Sequence, residues 1–144
     1  MSIKQISVFL ENKPGRLDEM ISLLAKKNID IRALSLAETK DFGIARMIVD
    51  DAFETANLLR DNNLIANFTS VLAFAVPDEP GGLSKLLSVF TEAKVNIEYM
   101  YAFLGNNGGK HAYMIFRVSN TKESEKALVS RGLRPMTEED ISRI

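Results

Sequence analysis

Two short groups of amide, carboxylate and glycine residues recur 66 positions apart in this sequence, and their spacing could bind a small charged molecule. The first group lies in "FLENKPGRLDEM" and the second in "AVPDEPGGLSKL". They comprise Asn12, Gly15, Arg16 and Leu17, and Asp78, Gly81, Gly82 and Leu83. If a helix begins at each Pro-Gly, the first backbone amides of that helix have no intrahelical partner and can stabilise an anion. We therefore predict that each group binds an α-carboxylate.

A zwitterion also needs acceptors for its ammonium group. We predict that Asn12 acts with Asp30, and Asp78 with Asn96, so that each pair offers one neutral and one charged acceptor near the strand ends. The same residue types serve as helix caps and turn residues without any ligand. Both interpretations remain open at this point.

Hydrophobic periodicity predicts the elements that position these groups. Apolar residues occupy every second position before each Pro-Gly and recur at three and four positions after it, as in "ISVFL" and then "LDEMISLL". This change of period is typical of a strand followed by an amphipathic helix. Proline is expected in the first turn of each helix, and glycine allows a group to approach the backbone closely.

The remaining segments complete two similar halves. Second strands are predicted at "NIDIRALSLAE" and "VNIEYMYAF", third strands at "IARMIVD" and "HAYMIFRV", and a hairpin turn over Asn106, Asn107, Gly108 and Gly109. Helices follow at "DAFETANLLRDN" and "NTKESEKALVSRG", with fourth strands near 68–70 and 133–136. The order predicts an α+β protein with two ferredoxin-like βαββαβ domains in tandem, 1–69 and 70–144, each an antiparallel sheet with its helices on one face. The run "FTSVLAFAV" joins them without a flexible linker.

Composition excludes several classes of protein. Eighteen basic and nineteen acidic residues give a formal net charge of −1, which does not favour nucleic acid as a partner. The sequence has no cysteine, and charges interrupt its N-terminal segment, so we predict neither disulfides nor a signal peptide nor a membrane span. We expect a cytoplasmic protein.

Catalytic residues are not visible in the sequence. His111 is the single histidine, and adjacent carboxylates such as Asp50 and Asp51 do not face one another on a helix or strand. No phosphate-loop, zinc-protease or serine-hydrolase motif is present. We predict a protein that is not an enzyme and needs no cofactor or metal.

The doubled Asn/Asp-x-Pro-Gly-x-Leu pattern, each followed about fifteen residues later by Asp30-Ile31 or Asn96-Ile97, resembles the ACT domain, a small regulatory module. The resemblance covers essentially the whole chain. It implies an amino acid as ligand, bound near the interface between modules, and a regulated enzyme as a further partner. We also expect a homodimer, because small sheet domains commonly cover an edge or a sheet face by pairing. The resemblance also makes Met100, Tyr101 and Phe103 candidates for ligand specificity, although such residues on a strand are more often core.

Two other functions are compatible with the sequence. The modules could serve as an assembly surface without a ligand, with exposed sheet edges pairing between chains. A small enzyme of the acylphosphatase type would need a basic residue after the first strand, and Arg16 is the only rough candidate. Because the counterpart of Arg16 is Gly82, the two predicted sites need not be equivalent.

Overall fold

The computed structural model of the chain describes residues 2–105 and 109–144. The chain forms two compact units, one of Lys4–Thr69 and one of Ser70–Ile144 together with the first residues up to Ile3. Eleven helices and strands are assigned in these residues, and they confirm the predicted α+β class and the βαββαβ order of the first half. The hairpin turn predicted at Asn106, Asn107 and Gly108 lies outside the described residues.

The first unit contains four strands and two helices. They are β1 (Ile3–Glu11), α1 (Arg16–Lys26), β2 (Ile31–Glu38), β3 (Phe42–Val49), α2 (Ala52–Asp61) and the first part of β4 (Ile65–Pro77). The strand order is β2-β3-β1-β4, and β3 is antiparallel to both β1 and β2. Since β1 and β2 both oppose β3, they run parallel to each other, as a strand-helix-strand unit requires.

The core of the first unit explains why its helices cover one face of the sheet. Alternate residues of β1, including Val8 and Leu10, are buried and pack in the same cluster as Met20 and Leu24 of α1. Residues that alternate along a strand point to one face, and residues four apart on a helix form one stripe. The two apolar faces therefore meet and are removed from water.

The second unit uses the rest of β4 with two more strands and three helices. They are α3 (Gly82–Glu92), β5 (Ile97–Ala102), β6 (His111–Val118), α4 (Thr121–Ser130) and α5 (Glu138–Ser142). The strand order is β4-β6-β5, with antiparallel pairing throughout. Three rings, Phe74, Phe90 and Phe116, fill the core with centroids 4.9 to 6.0 Å apart.

The fourth strand predicted near 133–136 is wrong. Pro135 has no amide hydrogen to donate to a ladder. The Met136 N–H donates to the Ala73 carbonyl at 2.7 Å, but no strand is assigned over 133–136 in the described part of the chain. A short helix that the sequence analysis did not predict, α5, follows. Its first turn is fixed by a capping box between Thr137 and Asp140.

The two halves match closely until the hairpin between their second and third strands. The helices α1 and α3 begin 66 positions apart, at Arg16 and Gly82, whereas the third strands begin 69 positions apart, at Phe42 and His111. The second half therefore carries extra residues in this hairpin. No helix in the described part of the chain is long and apolar enough to cross a bilayer.

Candidate functional site

Each predicted site begins at a turn whose backbone conformation only glycine adopts readily. Gly15 and Gly81 are the N-cap residues of α1 and α3, with φ of 86° and 87°. A Cβ on either glycine would meet no atom within 4 Å, so conformation, not space, requires glycine there. Pro14 and Pro80 precede the caps, and the prediction that they lie in the first helical turn is wrong.

Within residues 2–105 and 109–144, no side chain accepts a hydrogen bond from the first amides of α1. The Arg16 N–H donates weakly to the Lys13 carbonyl, at 3.3 Å, and the first intrahelical bond runs from the Glu19 N–H to the Gly15 carbonyl, at 2.9 Å. The amides between them, of Leu17 and Asp18, belong to the uncapped first turn. They can bind an anion, as the sequence analysis predicts for this turn.

The second turn differs at Gly82. A Cβ on this buried residue would lie 2.2 Å from the carbonyl oxygen of Pro77, which is closer than any real Cβ contact. The chain's own backbone therefore lies beside the Gly82 α-carbon, and this contact by itself requires glycine at the position. Arg16 holds the same position in α1 and carries a full side chain.

A cleft of about 310 Å³ opens beside the first turn, between β1, the start of α1 and the hairpin of β2 and β3. We call it the turn cleft. Its apolar wall consists of Leu10, Leu17, Leu36 and Gly43, and its polar side chains are Glu11, Asn12, Lys13, Arg16 and Glu38. Three of the predicted residues, Asn12, Arg16 and Leu17, therefore line one cleft.

Most charges at the turn cleft neutralise one another. Lys13 lies 2.9 Å from the Glu11 carboxylate, and Arg16 bridges Glu11 at 3.4 Å and Glu19 at 3.2 Å. The hydrogen bond and charge of Lys13, followed by the charge of Arg16, lower the pKa of Glu11 below its ordinary value. Arg16, the basic residue that an acylphosphatase-type loop would need, is thus paired with two exposed carboxylates.

Two polar side chains of the turn cleft are uncommitted. Asn12 is anchored through its backbone, whose N–H donates to the Asp41 carbonyl at 3.1 Å. Its side chain and the carboxylate of Glu38 make no hydrogen bond or ion pair within residues 2–105 and 109–144. A ligand with hydrogen-bond donors could therefore bind both without displacing an existing contact.

The predicted pairing of Asn12 with Asp30 is wrong. Asn12 bonds to Asp41, just before β3 begins, whereas the Asp30 carbonyl accepts from the Asp50 N–H at 3.1 Å, just after β3 ends. An eight-residue strand is about 25 Å long, so the two side chains cannot bind one amino acid within the same unit. The Asp30 carboxylate instead lies 3.1 Å from the Arg32 side chain.

Asp78 and Asn96 are separated in the same way along β6. The Asp78 N–H donates to the Lys110 carbonyl at 2.9 Å, and the Ser119 N–H donates to the Asn96 carbonyl at 3.1 Å. The Asn96 side chain donates to the Ser119 hydroxyl at 3.2 Å, so it already has a structural partner.

Other candidates from the sequence have structural contacts. Met100 packs against the core of the second unit, Tyr101 is 9% exposed, and the Phe103 ring meets Tyr113 edge to face at 6.1 Å. Asp51 caps α2 by accepting from the Glu54 N–H at 3.0 Å. Among the described residues no three histidine, cysteine or acidic side chains are grouped to hold a metal.

Sequence reasoning identified three of the nine residues that line the turn cleft, and Gly43 and Glu38 are among the six that it missed. The strand register places Gly43 opposite both Leu10 and Glu38, so a row of three positions crosses the sheet here. A glycine inside a strand often marks a close approach of another group. The sequence shows this glycine inside the predicted strand "TKDFGIARMIVD". Its neighbours in the sheet, however, are known only once β2 and β3 have paired.

Comparison with known proteins gives a consistent result. The sequence model of the ACT domain pair matches residues 1–144. A protein of known structure from Bacteroides thetaiotaomicron is 40% identical, with a TM-score of 0.90 over 100% of this chain and 98% of that one. No curated protein matches at the required significance.

More distant structures share the fold. The regulatory subunit of aspartate kinase from Thermus thermophilus has a TM-score of 0.61 at 15% identity, over 88% of each chain. The allosteric aspartate kinase of Clostridium acetobutylicum has a TM-score of 0.52 at 12% identity, over 88% of this chain and 31% of the kinase.

Proposed function

The chain belongs to the ACT domain pair family, and we propose that it is a non-catalytic sensor that binds an amino acid in the turn cleft of its first module. One observation carries the proposal: groups that can bind a carboxylate and a group that can bind an ammonium lie at the same cleft. The uncapped first turn of α1 suits the α-carboxylate, and the side-chain oxygen of Asn12 suits the α-ammonium. We propose 1–69 and 70–144 as the two modules.

The size and surface of the turn cleft support a ligand of this kind. A volume of about 310 Å³ is at the lower end of the range for small-molecule sites. Leu17 and Leu36 provide apolar surface for a side chain, and Leu36 is 52% exposed. Covering it would add hydrophobic stabilisation to the polar contacts.

We propose that the second turn supports the fold and binds no ligand. Gly82 faces the Pro77 carbonyl oxygen, and the predicted partner Asn96 bonds to Ser119. Asp78, Gly81 and Leu83 would then fix the junction between β4 and α3. This arrangement gives one amino-acid site in each chain.

A protein that binds an amino acid without catalysing a reaction can act as a regulator. The Thermus protein is a regulatory subunit of aspartate kinase, and its fold relationship supports an enzyme as the regulated partner here. Occupancy can shift a partner only if the ligand prefers one of two conformations. Because Asn12 is bonded to Asp41 in the β2–β3 turn, a ligand on Asn12 would act on this hairpin directly. Absence of cysteine fits the reducing cytoplasm, where we place the protein.

A thermal-shift screen against the twenty amino acids tests this function. A ligand that binds only the native state raises the melting temperature in a saturable way. The shift should disappear in Asn12→Ala and persist in Asn67→Ala, an exposed asparagine of β4 in the same unit but outside the turn cleft. No shift with any amino acid at millimolar concentration would contradict the proposal.

A second candidate function, assembly with another copy of the chain, is favoured by an exposed apolar surface. Phe9, Phe42 and Ile65 are 39%, 52% and 63% exposed and line one groove of about 700 Å³. The register puts Phe42 opposite Glu11 and Phe9 opposite Ile44, and residues of α1, including Asp18 and Lys26, also line this groove. Sedimentation equilibrium should show a dimer that Phe42→Ser weakens. A monomer at all concentrations would contradict assembly through this surface.

A further inference from the structure

We propose that Glu38 makes the turn cleft selective for amino acids whose side chain carries a positive charge. The inference deepens the proposed function and rests on it. It follows from three features of the first unit: a gap in the sheet surface, an uncompensated carboxylate at that gap, and an apolar wall leading to it.

The gap is created by Gly43. In the register of the sheet, Leu10, Gly43 and Glu38 are neighbours in one row across β1, β3 and β2. Leu10 belongs to the core beneath α1, so this row lies on the helix-covered face at the end where α1 begins. Gly43 contributes no side chain, and the turn cleft is lined by Gly43 together with Leu10 and Glu38. The end of the Leu36 side chain lies over Gly43, where its Cδ1 would be 3.3 Å from a Cβ, so a ligand side chain can enter beside this flexible leucine.

The charge at the gap is not compensated by the protein. Glu11, the other acid of the turn cleft, is held by Lys13 at 2.9 Å and by Arg16 at 3.4 Å. Glu38 makes no hydrogen bond or ion pair within the described part of the chain. A cationic group on the ligand would supply the missing partner, and hydrogen bonds to charged groups are among the stronger ones.

The walls of the turn cleft fit an aliphatic stem that ends in a charge. Leu17 and Leu36 line the cleft beside Glu38, and Leu36 is half exposed. A chain of methylene groups can cover these leucines while its terminal ammonium stays at the wetter rim, as lysine side chains do on protein surfaces. An uncharged aliphatic side chain would make the same apolar contacts but would leave Glu38 unpaired.

The second module lacks both the gap and the charge. Ala112 takes the place of Gly43, opposite Val76, so a methyl group fills the corresponding position. The residue 66 positions after Glu38 is Leu104, which is exposed and follows the end of β5. Selection by charge is therefore confined to the first module.

Isothermal titration of the full chain with L-lysine and L-norleucine tests the inference, since norleucine keeps the aliphatic stem and lacks the terminal amino group. The wild type should bind lysine about tenfold more tightly than norleucine, and Glu38→Gln should abolish the difference. Glu54→Gln removes the same charge from an exposed residue of α2 outside the cleft and should keep the wild-type ratio. Circular dichroism of each variant checks that it is folded.

The possible outcomes separate the inference from the function on which it rests. Equal binding of lysine and norleucine by the wild type, or an unchanged ratio in Glu38→Gln, would overturn the selection by Glu38 and leave an amino-acid sensor intact. Equal weakening of both ligands by Glu38→Gln would assign the carboxylate to the α-ammonium and would also overturn it. If no amino acid binds the wild type, the sensor function and this inference both fail.

Discussion

The Pro77 carbonyl oxygen lies against the α-carbon of Gly82, where a Cβ would approach that oxygen to 2.2 Å. This contact joins the end of β4 to the first residue of α3. In the first module the equivalent helix position is Arg16, whose side chain reaches Glu11 and Glu19 instead. The first helical residue is therefore constrained differently in the two modules: Gly82 by contact with the backbone, and Arg16 by ion pairs.

Gly82→Ala should destabilise the protein by about 3 kcal/mol, because overpacking against backbone costs about 1–3 kcal/mol and a carbonyl cannot rotate away as a side chain can. Urea denaturation measures the change. Arg16→Ala is the matched control at the equivalent position and should cost less than about 1 kcal/mol, since it removes only exposed ion pairs. Equal effects of the two substitutions would show that the turns are equivalent after all.

Gly43→Ala should reduce amino-acid binding at least tenfold with little change in stability. The new Cβ would enter the gap of the turn cleft and meet the Leu36 Cδ1 at 3.3 Å, a contact that a flexible leucine can relieve. Titration calorimetry with whichever amino acid raises the melting temperature most gives the affinity. Gly105→Ala adds the same methyl group in open space in the second unit and should leave binding unchanged. Undiminished affinity in Gly43→Ala would place the ligand elsewhere.

The ionisation of Asp140 should make the stability of the α5 capping box depend on pH. The backbone hydrogen bond from Thr137, followed by its hydroxyl, lowers the pKa of Asp140 below the ordinary 3.8. A carboxyl with a lower pKa in the folded state stabilises that state above its unfolded pKa and loses this contribution as pH falls through the folded value. The capping box should therefore be intact at pH above 3.8 and weaken only in stronger acid.

Carbon-detected NMR of the Asp140 carboxyl group, followed with the Thr137 amide, measures this titration. Both signals should move together below pH 3.8. In Asp140→Asn, which keeps an acceptor but cannot ionise, the Thr137 amide should no longer respond to pH in that range. A Thr137 amide that still titrates in the variant would mean that another group controls it.

Much of the fold could be predicted because the elements carry strong periodic patterns. The changes from alternate to helical spacing at residues 12–16 and 78–82 located both strand-helix junctions, and the continuous β4 agrees with the absence of a linker at Thr69 and Ser70. The C-terminal part was harder to predict. Pro135 weakens a strand locally, but whether the chain then forms an edge strand or a capped helix depends on the Thr137 and Asp140 contacts.

The candidate site could be predicted only in part. Local pattern identified Asn12, Arg16 and Leu17, because a strand-helix turn depends on neighbouring residues. It failed for Asp30, since β1 and β2 run parallel and the end of one lies far from the start of the other. Glu38 and Gly43 face the turn only after β2 and β3 have paired, and no local pattern encodes that register.

Amide NMR spectra of the chain with and without a saturating amino acid would test the central claim most directly, namely that the turn cleft of the first module binds the ligand. We predict that the largest shifts fall on the amides of Asn12, Gly15, Leu17, Glu38 and Gly43, while those of Asp78, Gly81 and Asn96 move little. Shifts centred on the second turn, or none with any amino acid, would contradict the account.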